Sequence, residues 1–344
     1  MRKGVSLFAA VLVAALILTS AFSAQGEGSA KKYSGTFFDV FDTIITYISF
    51  TDSEEEFTRQ FDFVQAEMTR LHRVFDQYHG YDGIQNVFVL NTQAAEGAIK
   101  AEPELITLLS RVRDWRKAYG TAVNPAMGSV LELWHETREV TKTLPDPEAL
   151  NAAAGHCRFE DVIINEEAGT IQYADPQLKL DLGAVAKGYS AQYVADELKA
   201  QGVSHFILNA GGNVVCGDAP LDGRAAWTIA VEDTDGSSMR HKVYAINRSL
   251  VTSGDYQRYV TIDGVNYHHL IDPVTLYPAV HCRAVTIICE DSGLGDFLSS
   301  AAFLMPCEDA LRMIESIDNC EACWLLQDRT EVTSSGYPRY MQKP

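Results

Sequence analysis

The sequence predicts an α+β fold of mixed, largely antiparallel sheets with packed helices, and two observations predict it. Apolar residues recur at a three-to-four spacing over residues 54–75 and again over 103–118, which marks amphipathic helices. Apolar strands separated by glycine turns, as in residues 206–217, mark hairpins and therefore antiparallel pairing. The 344 residues allow one large domain or two medium ones, with no fixed-period repeat and no convincing linker after residue 33.

Taken in order, Arg2 and Lys3 precede an apolar run from Val5 to Leu18, and Ala21-Phe22-Ser23 offers a small-residue cleavage site before Ala24. Residues 1–23 therefore read as a secretory signal; an uncleaved membrane anchor is the alternative. Residues 24–33 are polar and glycine-bearing and read as a linker, leaving 34–344 as the domain. Either reading of the N-terminus places the domain outside the cytoplasm, secreted or at the outer face of the cytoplasmic membrane.

An entry strand follows over residues 36–48. The first helix carries Phe57, Phe61, Val64, Met68, Leu71 and Phe75 on one face and exits through Asp76-Gln77-Tyr78. The second presents Leu105, Leu108, Leu109, Val112 and Trp115. Asn124-Pro125-Ala126-Met127-Gly128 then leads toward Trp134, and a short helix at 146–154 and paired strands over 159–173 precede Lys179-Leu180-Asp181-Leu182-Gly183-Ala184-Val185-Ala186-Lys187-Gly188-Tyr189. In that stretch, alternating Leu178, Leu180 and Leu182 read as a strand and the glycine turn as the start of a helix ending near Gly202. A helix start offers free N–H groups, and Lys187 adds a full positive charge, so the turn suits a phosphate; an ordinary strand-to-helix connection is the plainer alternative.

The formal net charge of −18 argues against nucleic acid as a partner, because that needs clustered Lys and Arg. An anionic ligand then requires a local positive site. Asp296 and Ser300, four apart on a helix, turn two hard oxygens to one face, as Mg²⁺ prefers; a helix N-terminal charge is the alternative for Asp296. The seven cysteines form no small-domain disulfide framework, and Cys320-Glu321-Ala322-Cys323 lacks the second half of a metal site, so it reads as a local disulfide or two ordinary thiols.

Taken together and in order, residues 179–189, Asn209-Ala210-Gly211-Gly212, Thr252-Ser253-Gly254-Asp255-Tyr256, His268-His269-Leu270-Ile271-Asp272-Pro273-Val274-Thr275 and Asp296 to Ala302 resemble the ApbE family of FAD:protein FMN transferases. The corresponding family patterns are D-L-G-G/A-I-A-K-G-Y, N-A-G-G, T-S-G-x-Y, H-H-I-I-D-P-x-T-G and D-x-x-S/T-T/S-A. The resemblance implies a single ApbE-like domain that binds FAD and, with Mg²⁺, moves FMN onto a threonine hydroxyl of an extracytoplasmic flavoprotein subunit, releasing AMP. The acceptor would carry an S/T-G-A-T type segment; none of the S-G-A-T type occurs in this chain. It further implies His269 as the acid/base group, Ala184, Asp296 and Ser300 as metal ligands, and cofactor contacts from Tyr78, Ala126, Met127, Gly128, Asp181, Lys187 and Leu270. A Mg²⁺-dependent FAD pyrophosphatase and a non-catalytic flavin-binding protein are the alternatives, since a metal that activates phosphoryl transfer does not choose the acceptor. The chain departs from the family at Leu276, where the pattern has glycine, so the turn after the histidine strand is expected to differ.

Overall fold

The computed structural model of the chain describes residues 30–235 and 238–344. The signal read over residues 1–23 and residues 24–29 of the linker lie outside the described residues. Strand β1 (Lys31–Val40) already includes the last residues read as linker, and it pairs with β2 (Thr43–Thr51) as the entry hairpin.

Helix α1 (Glu54–Phe75) starts where Ser53 accepts the Glu56 N–H, with Glu54, Glu55 and Glu56 in its first turn and His72 and Arg73 in its last. Phe57, Val64, Met68, Leu71 and Phe75 are buried along one stripe, each contributing about 1.5–3 kcal/mol of apolar burial. There follow α2 (Val87–Gln93), β3 (Ile99–Lys100) and α3 (Pro103–Tyr119), the last opened by its proline. Helix α4 (Gly128–Glu136) runs directly into a π-helical turn, Thr137–Thr141, and α5 (Pro147–Ala154) is capped by Asp146. Strands β4 (Val162–Asn165) and β5 (Thr170–Tyr173) join β3 in a small antiparallel sheet.

Residues 178–182 do not form the expected strand. Their alternation is real, with Leu178, Leu180 and Leu182 all buried, but Asn91 takes both the N–H and the C=O of Leu180 with its side-chain amide. A side chain thus occupies the place of a neighbouring strand. Only an isolated parallel bridge between Met127 and Lys179 remains before α6 (Ala186–Ala200) begins.

The second half supplies β6 (Phe206–Ala210), β7 (Asn213–Cys216), β8 (Trp227–Glu232), β9 (Met239–Ala245), β10 (Arg248–Gly254), β11 (Tyr259–Ile262), β12 (Val265–His268) and β13 (Ala284–Cys289). It ends with α7 (Ser292–Leu304), α8 (Cys307–Glu315), β14 (Glu321–Leu325), β15 (Glu331–Thr333) and α9 (Pro338–Met341). The main sheet has the order β1-β2-β6-β7-β10-β13-β14-β15, antiparallel at every step. Helices α1, α3, α6, α7 and α8 cover one face around Leu71, Leu109, Val194, Phe297 and Ile314. The β8–β9 hairpin and Tyr337 cover the other, over Ile48, Val214, Leu250 and Ile288. A satellite cluster of Val130, Trp134, Leu150 and Ile271 holds α4, α5 and the histidine strand together. The α+β class and the single sheet-centred domain follow from this topology.

Candidate active site

A tightly constrained point of the molecule is the crossing of α6 and α7. A Cβ on Gly188 would stand 2.2 Å from the Ser292 carbonyl oxygen and 2.5 Å from Asp296 Cβ, so only glycine lets the helices approach this closely. The Gly188 N–H, which a regular helix would direct to the Ala184 carbonyl, donates instead to Asp296 Oδ2 at 2.8 Å. Helix α7 begins at Ser292 and is capped by Asp291, which accepts the Leu294 N–H, so Asp296 is not a helix N-terminal charge. It lies one turn further in, 4% exposed, with burial raising its pKa and the Lys187 charge opposing that rise.

Around this carboxylate lie oxygen atoms without protein partners. The Ala184 carbonyl accepts no hydrogen bond among the described residues, and the Ser300 hydroxyl, 3% exposed on the same face of α7, makes none either. Asn213 Nδ2, beside Gly188, is buried and directed at the Asp296 carboxylate. A carboxylate, a hydroxyl and a backbone carbonyl are the oxygen types a hard divalent cation takes, so the donor chemistry of Asp296, Ser300 and Ala184 fits Mg²⁺.

The second wall comes from the β11–β12 hairpin and the segment after it. His268 and His269 are adjacent in sequence and opposite in role. His268 donates from Nε2 to the Ala279 carbonyl, accepts the Leu270 N–H at Nδ1, and packs edge-on against Phe303, which makes it structural. Leu270 spends its carbonyl on the Ala279 N–H. The imidazole of His269 has no such ties: Nδ1 is buried and unpaired. Burial, and then the charges of Arg258, Arg138 and Lys187, hold its pKa well below the usual histidine range, so it is a neutral base at physiological pH.

Arg138 and Arg258 were not legible in the sequence, yet with Lys187 they make the local positive site an acidic chain needs. Lys187 donates to the Gly183 carbonyl, and Arg258 to the carbonyls of Phe41 and Asp42, rather than to carboxylates. Arg138 projects from the π-helical turn, with Nη1 buried and unpaired and its pKa lowered by burial. Single-turn π-helices cluster at functional sites, but periodicity in sequence does not reveal them.

Asp181 links this wall to the exit of α1. Its Oδ1 accepts the Gly183 N–H and its Oδ2 accepts Gln77 Nε2 at 2.7 Å, while Asp76 ties up the turn by accepting from Tyr78 N, His79 N and the Tyr81 hydroxyl. Tyr78 is thereby presented half exposed against His135, its phenol pushed up to about 12 by burial and by Asp181. Ala126, Met127 and Gly128 are buried, and their N–H groups are engaged by Asn124 Oδ1, the Asn124 carbonyl and the Lys179 carbonyl. This turn therefore has no free N–H group to offer a ligand, and its Met127 carbonyl is taken by Val130 N and Leu131 N. Leu276, where the family pattern has glycine, has a left-handed backbone with φ of 62°, and its carbonyl accepts Trp134 Nε1. A left-handed conformation costs a non-glycine residue roughly 1–2 kcal/mol.

The description "ApbE family" matches residues 41–324, which span every segment just described. The chain belongs to the ApbE family. A protein of Treponema pallidum named FAD:protein FMN transferase is 31% identical over 262 residues, 72% of this chain and 72% of that one. One of Klebsiella pneumoniae with the same name is 28% identical over 274 residues, 76% of this chain and 84% of its own length. The fold is that of a solved ApbE protein from Thermotoga maritima, with a TM-score of 0.81 at 24% identity over 91% of this chain and all of that one. It is also that of the flavin transferase ApbE of Vibrio cholerae, with a TM-score of 0.78 at 20% identity over 90% of this chain and 99% of that one.

Proposed function

We propose that this ApbE-family chain is an FAD:protein FMN transferase that joins the FMN moiety of FAD to a threonine hydroxyl of an extracytoplasmic flavoprotein subunit and releases AMP. The observation that carries this reading is the convergence of a buried Asp296, unpartnered oxygen atoms and an unprotonated His269 on one cation-lined site, in a chain whose relatives bear that name.

In the reaction, the acceptor hydroxyl oxygen bonds to the FMN-side phosphorus, the anhydride bond to AMP breaks, and AMP leaves with the electron pair. The hydroxyl proton goes to His269, whose depressed basicity keeps its acceptor nitrogen available at neutral pH. Lys187, Arg138 and Arg258 stabilise charge developing on the phosphoryl oxygens, which matters most in an enclosed site. Asp181 and Tyr78 face the flavin half, and Leu270 and the 126–128 turn close the pocket around it. Ala184, Asp296 and Ser300 hold Mg²⁺, which supplies neutralisation of the pyrophosphate charge when bound. The target carries an S/T-G-A-T type acceptor, and the N-terminal segment secretes the chain or keeps it at the membrane.

The test is to incubate residues 30–344, which keep the whole of β1, with FAD, Mg²⁺ and a protein bearing an S-G-A-T acceptor, then read intact mass and free nucleotides. Gain of one FMN by the acceptor together with AMP supports the transferase. Free FMN and AMP without labelling mean a pyrophosphatase, and intact bound FAD means a flavin-binding protein.

A further inference from the structure

The cysteines stand as free thiols; Cys289 ends β13 and Cys320 immediately precedes its neighbour β14. The register of this pair runs Thr286↔Cys323, Ile287↔Ala322 and Ile288↔Glu321. One further step along the same antiparallel register sets Cys289 opposite Cys320. Side chains alternate along a strand, so Cys289 shares the face of Ile287 and Cys320 that of Ala322. All four lie in the helix-covered core, whereas Ile288 and Cys323 belong to the opposite one.

Backbone parity fixes the kind of pair this is. Ala322 spends both its N–H and its C=O on Ser334, on the β15 side of the strand. Toward β13, Ala322 and Ile287 are therefore a non-hydrogen-bonded pair, and so, two residues along, are Cys320 and Cys289. Such pairs hold their Cα atoms about 4.5 Å apart, inside the roughly 4.4–6.8 Å that a disulfide spans. Both thiols are buried, and that of Cys289 is raised first by burial and next by Cys320, as two neighbouring sulfurs require. The same parity separates Cys320 from Cys323, which point to opposite faces of the sheet, so the C-x-x-C spacing is not a local pair.

We propose that Cys289 and Cys320 form a cross-strand disulfide, made during folding by exchange with a small disulfide oxidant. One thiolate attacks the oxidant and expels the first thiol; the other cysteine then attacks the mixed disulfide and expels the second. One S–S bond forms in the chain, one breaks in the oxidant, and both protons leave on its two thiols. The bond closes a loop containing α7 and α8, so it clasps the base of the helix that carries Asp296. It rests on strand register and stands independently of the proposed reaction.

The experiment refolds the chain from denaturant in reduced and oxidised glutathione, blocks remaining thiols, and cleaves after arginine and glutamate. That cleavage isolates Cys289 in residues 284–290 and Cys320 in residues 316–321. The expected result is these two peptides joined and released by reductant. A second reading is the guanidinium midpoint of unfolding, which should fall on reduction of the wild-type chain and not on reduction of Cys289→Ser. Full alkylation of both cysteines in the folded oxidised protein, or linkage of Cys320 to any other cysteine, overturns the proposal. The wild-type peptide map decides on its own even where a variant does not fold.

Discussion

The two walls of the site are built to different standards. The α6–α7 wall is packed so closely that Gly188 admits no side chain, and Asp296, Ser299 and Ser300 are all buried in it. The β11–β12 wall is a two-stranded hairpin outside the main sheet, with Tyr259, Val265 and Val274 exposed and His269 held by no hydrogen bond at Nδ1. The rigid wall suits groups that must be in place before the cofactor arrives. The open wall suits the groups that meet a protein acceptor, whose shape the chain cannot fix in advance. The candidate site thus combines a close-packed helix crossing with a hairpin that stands outside the main sheet.

Substitutions in the rigid wall should have the larger effects. Asp296→Ala is expected to lower kcat for FMN transfer by about 10²–10³-fold and abolish its response to Mg²⁺, while the cooperative urea transition is kept. Full activity in this variant would remove Asp296 from the mechanism. Gly188→Ala should cost roughly 2–3 kcal/mol by urea denaturation, because its methyl group meets the Ser292 carbonyl oxygen and Asp296 Cβ, neither of which is the far end of a flexible side chain; a change below about 0.5 kcal/mol would show that the helices separate freely. In the open wall, His269→Gln should lower kcat by about 10–100-fold and leave FAD affinity and Tm unchanged. A matching loss of FAD affinity would assign His269 to binding instead.

The histidine pair also gives the comparison a pH axis. His268 and His269 both have folded-state pKa values below the ordinary value of about 6.5, chiefly through burial. The unfolded chain therefore takes up protons that the folded chain refuses, and stability should fall as pH drops beneath about 6.5. Replacing His268 by Gln should flatten that slope in denaturation measured from pH 7 to pH 5; an unaltered slope would place the proton uptake elsewhere. The smallest expected effect is at Leu276, where glycine should gain about 1 kcal/mol by relieving the left-handed backbone, less whatever packing the leucine supplies.

Legibility in the sequence followed the same division. The helical stripe of α1 was readable at Phe57, Val64, Met68, Leu71 and Phe75, though Phe61 is only partly buried, and the four-residue spacing of Asp296 and Ser300 was readable too, because both express a period that burial enforces. The strand expected at residues 178–182 failed for a different reason: alternation reports which face is buried, not what occupies the edge, and Asn91 occupies it. Arg138 and Arg258 escaped because each is an isolated arginine placed by a π-helical turn or a hairpin, with no local pattern to mark it. The alternative of a helix N-terminal charge for Asp296 stayed open in the sequence because Asp291 and Asp296 are both plausible near a helix start until the cap and burial distinguish them.

The strands of the main sheet stand in sequence order, so each excursion of the chain leaves one strand and returns to its neighbour. A chain emerging from the ribosome can therefore add strands to a growing edge without waiting for a distant partner. The site obeys the opposite schedule. Tyr78 and Asp181 arrive early, His269 late, and Asp296 and Ser300 only when α7 has emerged, after β13 has already docked. A truncated or stalled product can carry most of the sheet and still lack half of the reaction centre. Activity is thus a report on completion of synthesis, and partly made chains have little capacity to modify anything.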